Sequence, residues 1–203
     1  MFIETSGSNL SIALEDGRRH VGGCDENIGR GHAERLIPLI AELLSRAGVS
    51  RVDEISVCVG PGSFTGIRVG VSAARALALA WNVPVFGFTA SAMIAMSAQM
   101  EEDAPPRVLT VLDAFRGELF VQPFALDPME ALGEIEAVAP AEALRRARKI
   151  GAWAGDVPND DRSELWAEPC RITAAGAALL PERFRRLAPT PLYIRAPDAK
   201  PQA

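Results

Sequence analysis

The groups in this chain that could do chemistry are few: two histidines, three cysteines and a scatter of carboxylates and hydroxyls. Neither His20 nor His32 has a second histidine four residues on, or a carboxylate at a spacing typical of a zinc site. No metal site is therefore expected. His32, with Glu34 close behind it, reads as the opening of a helix. Ser63 is not in a Gly-x-Ser-x-Gly elbow, and both histidines are far from it in sequence, so nucleophilic hydrolysis has no evident centre. Cys24, Cys58 and Cys170 are odd in number and scattered. That pattern suits reduced thiols better than a disulfide framework. Glu4 and Asp113 each end a predicted strand, and Asp156 follows Gly155 in a predicted turn. The plain reading of Asp113 and Asp156 is turn capping through local side-chain bonds.

The most informative run is Gly-Pro-Gly-Ser-Phe-Thr-Gly-Ile-Arg-Val-Gly over residues 60–70. A β-branched apolar run, 55–59, precedes it and an Ala- and Leu-rich stretch follows. This order predicts strand, glycine turn, helix. Such a helix start presents free backbone N–H groups to an anion or to another backbone. The run fits neither common nucleotide template. Gly66 is followed by Ile67 and Arg68, where a phosphate-binding loop needs Lys and then Ser or Thr. The glycine spacing is one residue too long for a dinucleotide fingerprint, with Pro61 at its second position. A tight structural turn remains, built on Gly60, Pro61 and Gly62, with Ser63 or Thr65 capping the helix.

Within that helix, Gly66, Gly70 and Ala74 recur every fourth residue and form a flat strip flanked by Ile67, Val71, Ala78 and Trp81. Glycine inside a helix costs roughly 1 kcal/mol relative to alanine, so close approach of another backbone is expected to offset it. An earlier helix over 33–47 has Leu36, Ile37, Ile40, Leu43, Leu44 and Ala47 on one wide apolar face. Either both faces are core, or they meet a partner; periodicity leaves this open.

These motifs sit in an α/β pattern. Strands are expected at 3–6, 10–14 and 18–22, with Asp16-Gly17 as the second turn. Pro38 should make the first helix begin near residue 37 or bend there, and Gly48 should end it. Further segments follow: a strand at 55–59, helix 66–81, a strand at 83–88, helix 90–100, a strand pair at 108–113 and 119–124, and helical stretches near 141–149 and 173–187. Residues 101–107, with two prolines and three acids, form the best internal boundary. Three segments result: a lobe at 1–103, a smaller second lobe at 104–195, and a loose tail at 196–203. The 203 residues carry a net charge of −5, which does not suit a chain that holds nucleic acid alone. The densest basic stretch, Arg145 to Lys149, reads as a solvated helix end. No apolar run is long enough to span a membrane and no secretion leader is evident, so a cytoplasmic location is expected.

The run 60–70 resembles the signature of the bacterial TsaB (YeaZ) family. Other segments agree in order along nearly the whole chain. Residues 1–6 resemble the family's opening strand and Asp-Thr-Ser turn, with Glu4 in place of Asp. Residues 32–40 resemble its His-Ser-x-x-Leu-Leu-Pro-x-Ile helix, residues 113–116 its Asp-Ala-Arg motif with Phe115 added, and residues 191–195 its closing Pro-x-Tyr-Leu-Arg. The resemblance implies an actin/Hsp70-like ATPase (ribonuclease H-like) fold, with a mixed sheet, flanking helices and an eroded second lobe. It also implies a non-catalytic role: pairing with TsaD, with TsaE joining, in N6-threonylcarbamoyladenosine modification of tRNA. In TsaD a histidine pair that binds the catalytic metal follows the next strand; by register those places fall on Ala90 and Ile94. The resemblance turns the open question of the apolar faces toward a partner. Gly66, Ile67, Gly70, Val71 and Ala74, supported by Leu36, Ile40 and Leu43, would contact TsaD, or a second copy in a homodimer. On this reading Gly70→Trp should block association yet leave the monomer folded. tRNA would be met only within the complex. No cofactor is expected on the chain alone, though nucleotide could sit at the subunit boundary, or in a vestigial cleft with Glu4, Asp113 and Asp156. The alternatives are an independent ATP-dependent actin-like enzyme and, with less support, a peptidase.

Overall fold

A computed structural model describes residues 1–17, 19–156 and 172–194. The chain runs β1 (Phe2–Glu4), β2 (Asn9–Asp16), β3 (Arg19–Asn27), α1 (His32–Ala47), β4 (Ile55–Cys58), α2 (Phe64–Trp81), β5 (Val85–Phe88) and α3 (Ala90–Gln99). It continues with β6 (Arg107–Asp113), β7 (Leu119–Leu126), β8 (Met129–Ala131), β9 (Glu136–Val138), α4 (Pro140–Ile150), β10 (Trp153–Asp156), α5 (Ala174–Ala177) and α6 (Glu182–Arg185). The first sheet has the order β3-β2-β1-β4-β5. Its first three strands are antiparallel neighbours, while β1, β4 and β5 pair in parallel. The second sheet has the order β10-β6-β7-β8, with β9 also on β7. Three of its five strands have only three or four residues. This is the actin/Hsp70-like arrangement of a mixed sheet with flanking helices.

Side-chain alternation along the strands sorts the molecule into layers. Ile3, Ile12, Ile55 and Val57 face α1 and α2, in a core with Leu36, Ile40, Leu43, Ile67, Val71 and Ala74. Their neighbours Phe2, Ala13 and Cys58 face the opposite way, into a central core shared with α3, α5 and the inner face of the second sheet. Leu109, Val111, Leu119 and Val121 face outward again, under α4. Successive layers are therefore the α1–α2 pair, the first sheet, α3 with α5, the second sheet, and α4.

Several expectations need correction. Helix α1 does not begin near residue 37: it starts at His32 and includes Pro38, which is exposed. The carbonyl that Pro38 cannot serve therefore lies on the water side. The stretch 173–187 holds two four-residue helices with Pro181 between them. β8, β9 and β10 were not anticipated, and Asp156 ends β10 beside Leu112 instead of occupying a turn. The boundary at 103/104 separates the two sheets, but the chain then crosses back. α5 docks on the first sheet, where the Ser11 hydroxyl accepts a 2.7 Å hydrogen bond from the Ala174 N–H. Leu187 bridges Gly87, and the Leu192 N–H donates to the Val59 carbonyl at 2.8 Å. Residues 174–192 thus return to the first lobe, while Phe184 lies against Phe124 and Arg183 donates to the Met129 carbonyl of the second sheet. The expected tail at 196–203 lies outside the described residues.

Candidate functional site

β1 and β4 lie side by side in parallel, so both chains leave the sheet at the same edge. The turn after β1, Thr5 to Ser8, meets the glycine turn after β4. The Ser63 N–H donates to the Ser6 carbonyl at 2.7 Å, and the Thr5 hydroxyl donates to the Gly66 carbonyl at 2.8 Å. The glycines make this approach possible. A β-carbon on Gly62, whose φ is 152°, would lie 2.4 Å from the Ser6 carbonyl oxygen. On Gly66 it would lie 2.1 Å from the Thr5 carbonyl oxygen, and on Gly70 2.3 Å from the Thr5 hydroxyl. The Ser63 side chain caps α2 by accepting from the Gly66 N–H at 3.3 Å. The 60–66 run therefore anchors α2 on the end of β1.

This overturns the reading of the strip as a partner surface. Gly66, Ile67, Gly70, Val71 and Ala74 are buried, as are Leu36, Ile40 and Leu43. All eight lie in this chain's own fold, the five on α2 against β1 and β4 and the three on α1 against β2, β3 and α2. Gly66 and Gly70 meet the Thr5 turn, and the Thr5–Gly66 contact joins residues 61 positions apart that no local periodicity reveals. Gly70→Trp is accordingly a folding lesion, not a clean association mutant. The outward side of the α1–α2 pair carries Ala33, Ile37 and Ala41 on α1 and Ala76 and Ala80 on α2, all exposed.

The turns also border a cleft of about 630 Å3 between the lobes. Its walls are the Ser6–Gly7–Ser8 turn, the start of α1 at Gly31 to Glu34, the start of α2 at Gly62 to Gly66, and Asp113 and Phe115 from the second lobe. Gly31, at the α1 N-terminus, offers no side-chain cap. His32 is buried, with Nε2 3.3 Å from the Asn9 carbonyl oxygen, and helps seat that helix start. The three carboxylates expected in a vestigial cleft do not converge there. Asp113 does reach it, with Oδ1 accepting from the Phe115 N–H at 2.7 Å in a local turn. Phe115 and Arg116 both take left-handed backbone conformations there, φ 60° and 59°. Glu4 does not reach the cleft. It lies on the same face of β1 as Phe2, fully buried, and its Oε1 accepts from both the N–H and the hydroxyl of Ser6. The side chain of Asp156 lies outside the described residues.

Glu4 has an unusual environment. Burial pushes its carboxyl pKa up, against hydrogen bonds from Cys58 and Ser6 that pull it down. Its second oxygen, Oε2, has no hydrogen-bond partner among the described residues. Burial, reinforced by the Glu4 charge, pushes the Cys58 thiol well above its ordinary range. That makes Cys58 an inert, protonated thiol. Among the described residues no three His, Cys, Asp or Glu side chains are grouped to hold a metal ion. No described helix is long and apolar enough to cross a membrane. The basic stretch of α4 is partly neutralised: Arg145 and Arg146 both pair with Glu142, and Arg146 also with Glu136.

Comparison with known proteins decides the family. A family model described as TsaD, tRNA N6-adenosine threonylcarbamoyltransferase, matches residues 19–162. The YeaZ structure from Pseudomonas aeruginosa superimposes with a TM-score of 0.74 at 26% identity, covering 94% of this chain and 97% of that one. The chain belongs to this family, and within it to the TsaB (YeaZ) group. The tRNA threonylcarbamoyladenosine biosynthesis protein TsaB of Escherichia coli K12 is 35% identical over 121 residues, 58% of this chain and 51% of that protein. A tRNA N6-adenosine threonylcarbamoyltransferase of Corynebacterium diphtheriae is 30% identical over 145 residues, 71% of this chain but 41% of that protein. The match thus spans about half or less of these two relatives. An uncharacterized protein of Mycobacterium tuberculosis is 33% identical over 182 residues, 86% of this chain and 80% of its own length.

Proposed function

We propose that this TsaB-group chain is a non-catalytic, cytoplasmic member of the machinery that makes N6-threonylcarbamoyladenosine in tRNA. It pairs with a catalytic TsaD protein, and TsaE joins the assembly. The observation that carries the reading lies at the start of α3. Ala90 and Ile94 stand at the positions that correspond to the metal-binding histidines of TsaD, and both are completely buried in the central core. Neither side chain has an electron pair for a metal, and both pack among the apolar side chains of that core. The scaffold is retained and the reactive centre is replaced by packing.

The corrected partner surface is the outward side of the α1–α2 pair. Ile37 is 47% exposed at its middle, and the alanines around it allow a second helix pair to approach closely. The same side would join two copies in a homodimer. tRNA enters through the complex, in keeping with the net charge of −5. Ile37→Glu, at an exposed position, should leave the fold intact and abolish co-elution with TsaD on gel filtration. Undiminished co-elution would exclude this surface.

The interlobe cleft favours a second reading, an actin-like enzyme that uses ATP by itself. Two helix starts and Asp113 border a space of about 630 Å3, enough for a small ligand. Calorimetry with Mg-ATP separates the two readings. The isolated chain binds tightly if it is such an enzyme, and gives no heat if nucleotide needs the partner to complete its site.

A further inference from the structure

The outer edge of β5 is covered by a segment that lies on the surface of the fold. Ala174, Ala177 and Leu180 are buried in the central core, but from Pro181 to Ile194 no residue is buried. This segment nevertheless touches both lobes. The Phe184 ring lies 6.0 Å from that of Phe124 on β7, and Arg183 donates to the Met129 carbonyl. Arg186 then reaches the first lobe. Its guanidinium carbon stacks 4.2 Å from the Phe86 ring centroid, and its Nη1 pairs with Glu54 at 2.9 Å. Leu187 and Gly87 exchange backbone hydrogen bonds of 3.0 and 2.8 Å in one isolated bridge. Pro189 and Pro191 have no N–H, so the bridge does not grow into a strand. The segment ends on the glycine turn. The Leu192 N–H donates to the Val59 carbonyl at 2.8 Å, and the Tyr193 hydroxyl accepts from the Arg68 Nε at 2.8 Å.

We propose that residues 181–193 are a releasable strap: they detach as a unit while both sheets stay folded, and their attachment holds the glycine turn and the first turn of α2 in place. Among the described residues, three backbone hydrogen bonds join the strap to β5 and to the turn after β4. With few such bonds and no buried side chain, it belongs to the low end of local stability. Arg186 is the main fastening on the first lobe. Its pair with Glu54 is partly exposed, and an exposed ion pair and a cation–π contact are each weak. Release has a local consequence. Val59 loses the Leu192 N–H, and the Phe64 ring loses Tyr193, 5.6 Å away. Ser63 and Gly66, which border the cleft, then depend on their bonds to the Ser6 and Thr5 turn. The strap is thus a built-in control on how firmly one wall of the cleft is held. This inference concerns the chain by itself and does not rest on the modification reading.

Amide hydrogen exchange of the full chain, followed residue by residue, tests it. The Gly87, Leu187 and Leu192 N–H groups should exchange together and faster than the ladder amides of β4 and β6. Low urea should speed the ladder amides and leave these three almost unchanged, because strap release exposes little surface. Arg186→Gln should speed the three about threefold or more, and the Ser63 and Ile67 N–H groups should follow. Glu54→Gln, which removes the pair from the other side, should act in the same direction; it guards against an effect peculiar to one variant. Arg35→Gln removes comparable pairs with Glu26 and Glu42 at the far edge of the sheet. It should leave the strap amides unchanged. Strap amides that respond to urea or to Arg35→Gln as the ladder amides do would show that they open only with the whole molecule and would overturn the proposal. So would Ser63 and Ile67 amides that ignore Arg186→Gln.

Discussion

Gly70 has one neighbour that crowds any added side chain. A β-carbon there would stand 2.3 Å from the Thr5 hydroxyl, and that hydroxyl is itself fixed on the Gly66 carbonyl. Relief requires either breaking that bond or lifting α2 from β1. Gly70→Ala should therefore cost about 1–3 kcal/mol by overpacking, read as a lower urea midpoint at an unchanged slope. Glu4 makes a different prediction at the same turn. Its folded-state pKa is raised by burial, so the folded protein binds its proton more firmly than the unfolded chain does. Its contribution is fully present below the ordinary carboxylate pKa and is lost as pH rises through the raised value. Urea melts over a pH series should show stability falling across that window. Glu4→Gln, which keeps the shape and cannot ionise, should flatten the dependence. An unchanged pH profile in that variant would assign the effect to another group.

Among the elements, α2 is the one whose position decides the site. Ser63 caps it by accepting from the Gly66 N–H, so Ser63→Ala should cost about 1 kcal/mol, measurable in the same melts. The turn and its cap were legible in residues 60–66, because a glycine turn before an Ala-rich helix has few other uses. The orientation of α2 was not. Ala74 and Ala78 face inward while Ala76 and Ala80 face out, so small residues lie on both sides and periodicity cannot choose between them. The deciding contact comes from Thr5, on a distant segment. The inner face of α1 was legible in Leu36, Ile40, Leu43 and Leu44, which are buried; Ile37, grouped with them by periodicity, instead stands 47% exposed on the outward side. Strands β8, β9 and β10 are too short to show alternation, and Asp156 was misplaced for that reason.

For the whole molecule, the family resemblance carried what patterns could not: two sheets around a shared central core, with a cleft at their common edge. The chain returns at residues 174–192 to close the first lobe, so the two lobes are interleaved and should unfold together. One outer layer, α1 with α2, presents an alanine-rich side around Ile37; at the opposite face of the first sheet, Ala90 and Ile94 are fully buried in the central core. The most direct measurement is threonylcarbamoyladenosine formation on tRNA by TsaD and TsaE, with ATP and the threonylcarbamoyl donor, with and without this protein. Product should appear only when the chain is added, should be lost with Ile37→Glu, and should not form when the chain is supplied without TsaD. Full activity in its absence, or modification by the chain alone, would contradict the account.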